Sequence, residues 1–103
     1  NLSEAETLGL YSIVHEALIN IAKHSGMREA TVRLNLETNN SHLEIEDRGL
    51  GFDPQAAINQ SGHLGLAGMS ERAREIGWNL SVESRRGQGT RIRVMENQPG
   101  RSE

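Results

Sequence analysis

The sequence predicts an α+β domain in which helices pack on one face of a mainly antiparallel sheet. Two observations carry this. Along the 103 residues the hydrophobic period runs helical, then alternating, then helical, then alternating again, so that a helix and a hairpin are followed by a second helix and hairpin. The eleven glycines are also uneven. They gather at 49–51, 62–68 and 87–89, which marks three loops of special backbone geometry in a chain that is otherwise regular.

The first helix is read from Ser3 to His24, where Leu10, Val14, Ala17, Leu18 and Ile21 recur at spacings of three and four. Ser3 with Glu6 three positions later is a capping box, and Ser25-Gly26 is the expected stop. At about 100° per residue, Glu16, Asn20 and Lys23 fall within roughly 60° of one another on a separate polar face. From Ala30 to Glu37 the period is two, placing Val32, Leu34 and Leu36 on one side, which is expected to be buried. After the turn residues 38–41, Leu43 and Ile45 point inward and His42, Glu44 and Glu46 outward. The same alternation turns Asp47 inward, where an ionised carboxylate is costly unless something bonds to it.

Residues 48–62 have no period and the length of a lid over a binding site. A helix is expected from Leu64 to Ile76, with Leu66, Met69, Ala73 and Ile76 as its stripe and Gly77 as its stop. Leu80 and Val82 then alternate with Ser81 and Glu83, Arg85–Gly89 turns, and Thr90, Ile92 and Val94 face inward against Arg91 and Arg93. One domain over residues 1–95 is expected, with 96–103 as a disordered polar tail.

Composition excludes several classes. There is no cysteine, hence no disulfide frame and no thiolate metal site, and a cytoplasmic location is expected. The net charge is −3 and the Lys and Arg residues are scattered, which argues against nucleic acid as partner. No apolar run approaches the roughly 20 residues that span a bilayer, so no direct membrane contact is expected of this domain, although a longer parent could be anchored in the inner membrane.

Three clusters can carry chemistry. Gly62-His63-Leu64-Gly65-Leu66-Ala67-Gly68 opens the second helix, and free amides there, with the helix dipole behind them, favour phosphate; the same glycines also read as ordinary caps. Asp47-Arg48-Gly49-Leu50-Gly51-Phe52 sets an inward carboxylate before two glycines, suited to an exocyclic amine or simply to capping its own turn. Glu16, Asn20 and Lys23 supply a carboxylate, a neutral oxygen for Mg2+ and a cation for phosphate, or else a solvated helix face. Their conjunction in one short chain points to a nucleotide.

At these residues the chain resembles a known superfamily. His15 to Ser25 looks like the N box of the ATPases shared by histidine kinases, gyrase, Hsp90 chaperones and MutL. Asp47–Phe52 resembles the first glycine box, Gly62–Met69 the second, and Gly87-Gln88-Gly89-Thr90 the Gly-x-Gly-Thr before the last strand. The wording from Gly62 to Arg72 is similar to the kinase branch that pairs with LuxR-type response regulators.

The resemblance implies a two-layer α/β sandwich on a mixed, mainly antiparallel sheet, the Bergerat-type ATP-binding fold, in a catalytic domain of a bacterial sensor histidine kinase. It implies ATP and Mg2+, with Asn20 on the metal and Glu16 as general base or orienting group. Lys23 and His24 would face phosphates, Asp47 the adenine amine with Thr90 beside it. Gly65 and Gly68 would let the lid close, and Gly49, Gly51, Gly62, Leu64, Leu66 and Met69 complete the nucleotide contacts. The implied partners are a histidine-containing dimerisation helix, which is not read in this chain, and through it a response regulator. Arg48 stands where the family often has Asp or Asn, and alternation turns it away from Asp47. Two alternatives remain: a serine kinase of the anti-sigma-factor type, and a non-catalytic nucleotide-binding module. His15 is read as a structural or surface histidine, since Ile19 occupies the place where His-Glu-x-x-His needs its second zinc ligand.

Overall fold

The computed structural model describes residues 2–25, 29–38, 40–49 and 66–97, the side chains of His24 and Ser25 excepted. Helix α1 spans Glu4–Asn20 and continues as a π-helical turn, Ile21–Ser25. Its start is the expected capping box: Ser3 Oγ accepts from the Glu6 amide at 3.0 Å, and the Ser3 amide donates to Glu6 Oε1 at 2.9 Å. Strands β1 (Thr31–Asn35) and β2 (His42–Asp47) follow, then helix α2 (Leu66–Glu75), then β3 (Trp78–Arg85) and β4 (Gly89–Glu96). Gly77, at φ 81°, ends the second helical segment in the left-handed conformation that glycine adopts without strain.

The sheet order is β1-β2-β4-β3, and each of these three pairings is antiparallel. Leu43 and Ile45 of β2 lie opposite Val94 and Ile92 of β4, and these four meet Leu10, Ile13, Ala17 and Ile21 of the first helix in one core. Met69 and Ala73 of α2 and the fully buried Trp78 complete it. The opposite face of the sheet is charged. Arg93 Nε bonds Glu44 at 2.9 Å, Arg91 bonds Glu46 at 3.1 Å, and Arg33 reaches both glutamates at 3.4 Å. The guanidinium hydrogen bonds from Arg93 and Arg91 hold the Glu44 and Glu46 carboxyls below their ordinary range. A sheet with one apolar and one ionised face builds two layers, as expected from the alternation.

Several details depart from the periodicity. Leu18 is 40% exposed, and Ile13, which the stripe omitted, is fully buried. Val32 and Leu34 sit opposite Ile45 and Leu43, so their parity is right, yet they are 44% and 48% exposed. Parity assigns a face; burial needs a second layer above it, and among the described residues no helix packs over this edge strand. Strand β3 begins at Trp78, earlier than read, and ends at Arg85, later than read. Strand β4 extends through Glu96, whose amide donates to the Ser41 carbonyl at 3.0 Å, one residue past the expected domain boundary. Residues 98–103, the rest of the expected tail, lie outside the described set, as does most of the expected lid.

Candidate functional site

The direction of each element follows from its anchors. At one end of the sheet, where β2 starts and β4 finishes, Trp78 Nε1 donates to Glu6 Oε2 at 2.9 Å, and Leu2 and Glu6 border a hollow with Leu36, Ser41 and Glu96. The first helix therefore starts at this end. Its second half, carrying Glu16, Asn20 and Lys23, runs toward the end where Asp47 closes β2 and Thr90 opens β4. Helix α2 runs the other way. A Cβ on Gly9 would lie 3.0 Å from Ile76 Cγ2, so the residue after α2 sits against the beginning of the first helix. The described start of α2 at Leu66 therefore lies toward the Asp47 end of the sheet.

At that end Asp47 is 5% exposed. Its Oδ1 accepts from the Gly49 amide at 2.6 Å, so the carboxylate does cap its own turn. An ionised carboxylate has about four acceptor positions, which leaves capacity for a ligand donor. Thr90 lies directly opposite Asp47 on β4, and Ser84 of β3 lies opposite Thr90, with the two hydroxyl oxygens 2.9 Å apart. Gly89 makes this junction possible. At φ 86° a Cβ there would stand 2.3 Å from the Asp47 carbonyl oxygen, so only glycine lets the β3–β4 hairpin close against the end of β2. A hollow of about 500 Å3 wraps around this end of the sheet, bordered by Asp47, Ser84, Gly89 and Thr90 and, from the charged face, by Glu46, Glu83 and Arg91.

The expected site residues are therefore distributed as follows. Asp47 and Thr90 are brought together, as alternation indicated. Glu16 and Asn20 are half-buried near the end of the first helix, while Lys23 is exposed. Lys23 and His24 belong to the π-helical turn, where hydrogen bonds skip one residue further, so the 100° spacing that grouped Lys23 with Asn20 does not extend to them. Leu66 packs against the core from the first position of α2, Gly68 is exposed, and Met69 is fully buried, its side chain serving the core. Gly49 donates to Asp47. Gly51, Gly62, Leu64 and Gly65 lie outside the described residues. His15 is exposed and stacks on Tyr11 with ring centroids 6.0 Å apart, as a surface histidine.

Sequence reasoning missed Ser84 and the steric role of Gly89. Continuing the alternation of Leu80 and Val82 by one step turns Ser84 inward, a signal obscured by the turn residues that begin at Arg85.

The described residues form an α/β sandwich with an inward acid and an inward hydroxyl paired at one end of the sheet. Residues 5–98 match the model of the histidine kinase-, DNA gyrase B- and HSP90-like ATPases, and the chain belongs to that family. Two relatives come from Bacillus subtilis (strain 168). The chain is 33% identical over 85 residues to the sensor histidine kinase YdfH and 37% identical over 82 residues to the sensor histidine kinase ComP. These matches cover 82% and 80% of this chain but only 21% and 11% of the relatives. Among solved structures, the ATP-binding domain of PrrB from Mycobacterium tuberculosis is similar at 25% identity and a TM-score of 0.70, over 90% of this chain and 69% of that one. No helix among the described residues is long and apolar enough to cross a membrane.

Proposed function

We propose that this chain is the catalytic ATP-binding domain of a two-component sensor histidine kinase, transferring the γ-phosphoryl group of ATP to a histidine on a dimerisation helix of its parent. The observation that carries the nucleotide reading is the pairing of buried Asp47 with Thr90 at one end of the sheet, beside Ser84 and Gly89. The kinase reading draws on the family and on the two relatives named as sensor histidine kinases.

In this reading the Asp47 carboxylate accepts from the adenine amine, with the Thr90 hydroxyl beside it. The amides at the start of α2, with Gly62, Leu64 and Gly65 before it and Leu66, Gly68 and Met69 within it, close on the phosphates together with Lys23 and His24. Gly49 and Gly51 let the chain pass close to the base. Glu16 orients the acceptor imidazole and takes its proton as the phosphorus–nitrogen bond forms and the bond to the β-phosphate oxygen breaks, leaving ADP. Among the described residues no three His, Cys, Asp or Glu converge into a metal cage. A Mg2+ ion that travels with the nucleotide needs none, because phosphate oxygens and water fill most of its sphere, and the Asn20 amide oxygen suits the remaining position. Mg2+ would there neutralise charge developing on the phosphates. Through its parent the domain serves a LuxR-type response regulator and works in the cytoplasm.

Incubation with γ-labelled Mg-ATP tests the proposal. The chain alone is expected to carry no label, while a separately produced histidine-bearing dimerisation domain acquires acid-labile phosphate, which Asn20→Ala abolishes without loss of fold. Acid-stable label on serine would select the serine kinase instead, binding without transfer a non-catalytic module. Label on His15 or His24 would overturn the assignment of the first helix to the nucleotide.

A further inference from the structure

Asp47, Thr90 and Ser84 form one rung across three neighbouring strands, on the same face of the sheet. The two hydroxyls in it do not have equal freedom. Ser84 Oγ donates to the Gly89 carbonyl oxygen at 3.0 Å and lies 2.9 Å from Thr90 Oγ1. A serine hydroxyl has one proton. A carbonyl can only accept, so that proton is committed to Gly89, and the contact between the hydroxyls is carried by the Thr90 proton. The rung therefore has a direction, from the Thr90 hydroxyl to Ser84 Oγ and from the Ser84 hydroxyl to the Gly89 carbonyl.

The last acceptor of this relay is fixed. Gly89 is buried at φ 86°, its α-carbon wedged against the backbone of Asp47 and Arg48, where an added Cβ would meet atoms at 2.3 and 2.8 Å. With its proton turned along the sheet toward β3, Thr90 presents only lone pairs toward a ligand. Asp47 presents only lone pairs as well.

We propose that Ser84 is a positioning residue for base selectivity: by holding the Thr90 proton away from the ligand, it makes the Asp47–Thr90 rim an acceptor-only surface that takes a 6-amino purine and rejects a 6-oxo purine. This rests on the nucleotide reading above, and Ser84 itself touches no ligand. A 6-oxo group placed against two acceptors finds no donor and leaves buried polar atoms unpaired, a penalty that gives a site far more discrimination than an apolar pocket has. Without Ser84 the Thr90 hydroxyl, a free rotor, can turn its proton to the 6-oxo group.

Titration of Mg-ATP and Mg-ITP into the full chain tests this, with Ser84→Ala, Ser84→Thr and Thr90→Val compared by affinity and melting temperature. The parent is expected to prefer ATP. Ser84→Ala should lower the ATP-to-ITP ratio by about tenfold, chiefly by tightening ITP, the equivalent of one such hydrogen bond. Ser84→Thr keeps the hydroxyl and should keep the ratio, and in a Thr90→Val background Ser84→Ala should change nothing further. A selective parent whose ratio survives Ser84→Ala would overturn the relay. So would a ratio that falls only through lost ATP affinity in step with the melting temperature, which marks a structural role. A parent that binds neither nucleotide would overturn the nucleotide reading itself.

Discussion

The two ends of the sheet are built from similar residue types and put to opposite uses. At the end holding Trp78, polar groups are paired within the chain: Glu6 receives the indole N–H and the Ser3 amide, Ser41 Oγ donates to the Glu37 carbonyl at 3.0 Å, and the Ser41 amide donates to Glu96 Oε1 at 3.1 Å. At the end holding Asp47, a buried carboxylate and the Thr90 hydroxyl are oriented but keep acceptor capacity. The lesson is that a buried polar group is informative less by its burial than by what its remaining lone pairs face. One end stabilises the fold; the other, in the proposed reading, holds its acceptors for a ligand.

The largest effect that should separate the ends is Trp78→Ala. Removing a fully buried indole costs about 3–5 kcal/mol in a packed core, against a total of about 5–15 kcal/mol for a domain. Denaturant unfolding should show a midpoint shifted far down. Wherever the variant is still folded, its nucleotide affinity should match the parent, and a selective loss of binding would break the division between the ends.

Asp47→Asn should do the reverse. The amide oxygen can still cap Gly49, so stability should hold or rise slightly as a desolvated charge is removed. The charge-assisted bond to the adenine amine is lost, about 1.5–3 kcal/mol, and ATP affinity should fall by roughly one to two powers of ten in calorimetric titration. Equal affinity in the two proteins would reduce Asp47 to a turn cap.

Much of this contrast was legible in the sequence. Period-two alternation turned Asp47 and Thr90 to the same face, and the register Asp47 opposite Thr90 agrees. The capping box was readable because Ser3 and Glu6 satisfy each other locally. What escaped depends on neighbours distant in sequence. Alternation could not show that Val32 and Leu34 lie on an edge strand with no described helix above. A fixed 100° per residue could not anticipate the π-helical turn that carries Lys23 and His24. Trp78 stood outside the strand as read, so neither its place in the core nor its bond to Glu6, 72 residues away, had a local signature. Gly89 looked like turn chemistry alone, because its contact with Asp47 arises only when the hairpin closes.

The smallest expected effect concerns Glu6, and it sharpens the comparison because it is electrostatic yet belongs to the anchored end. The bond from the Ser3 backbone amide, and after it the bond from the Trp78 indole, hold its carboxyl below the ordinary value of 4.5. A carboxyl whose value is lowered by folding contributes stability above the unfolded value and loses that contribution as the pH falls through the lower folded value. Glu6→Gln keeps a side-chain oxygen for the capping box but loses the charge. Because the group is half-exposed and screened by solvent, the cost at neutral pH should be modest, about 0.5–1 kcal/mol, or a few degrees in melting temperature for a domain of this size. Below pH 4.5 the parent should lose its advantage progressively, so that the two melting curves converge in acid. ATP affinity at neutral pH should be the same in both, since Glu6 sits at the far end of the helix from Asn20. A pH-independent gap between the curves would show that Glu6 acts only through packing and capping geometry. A fall in ATP affinity without a matching loss of stability would show instead that the two ends of the sheet are coupled through α1.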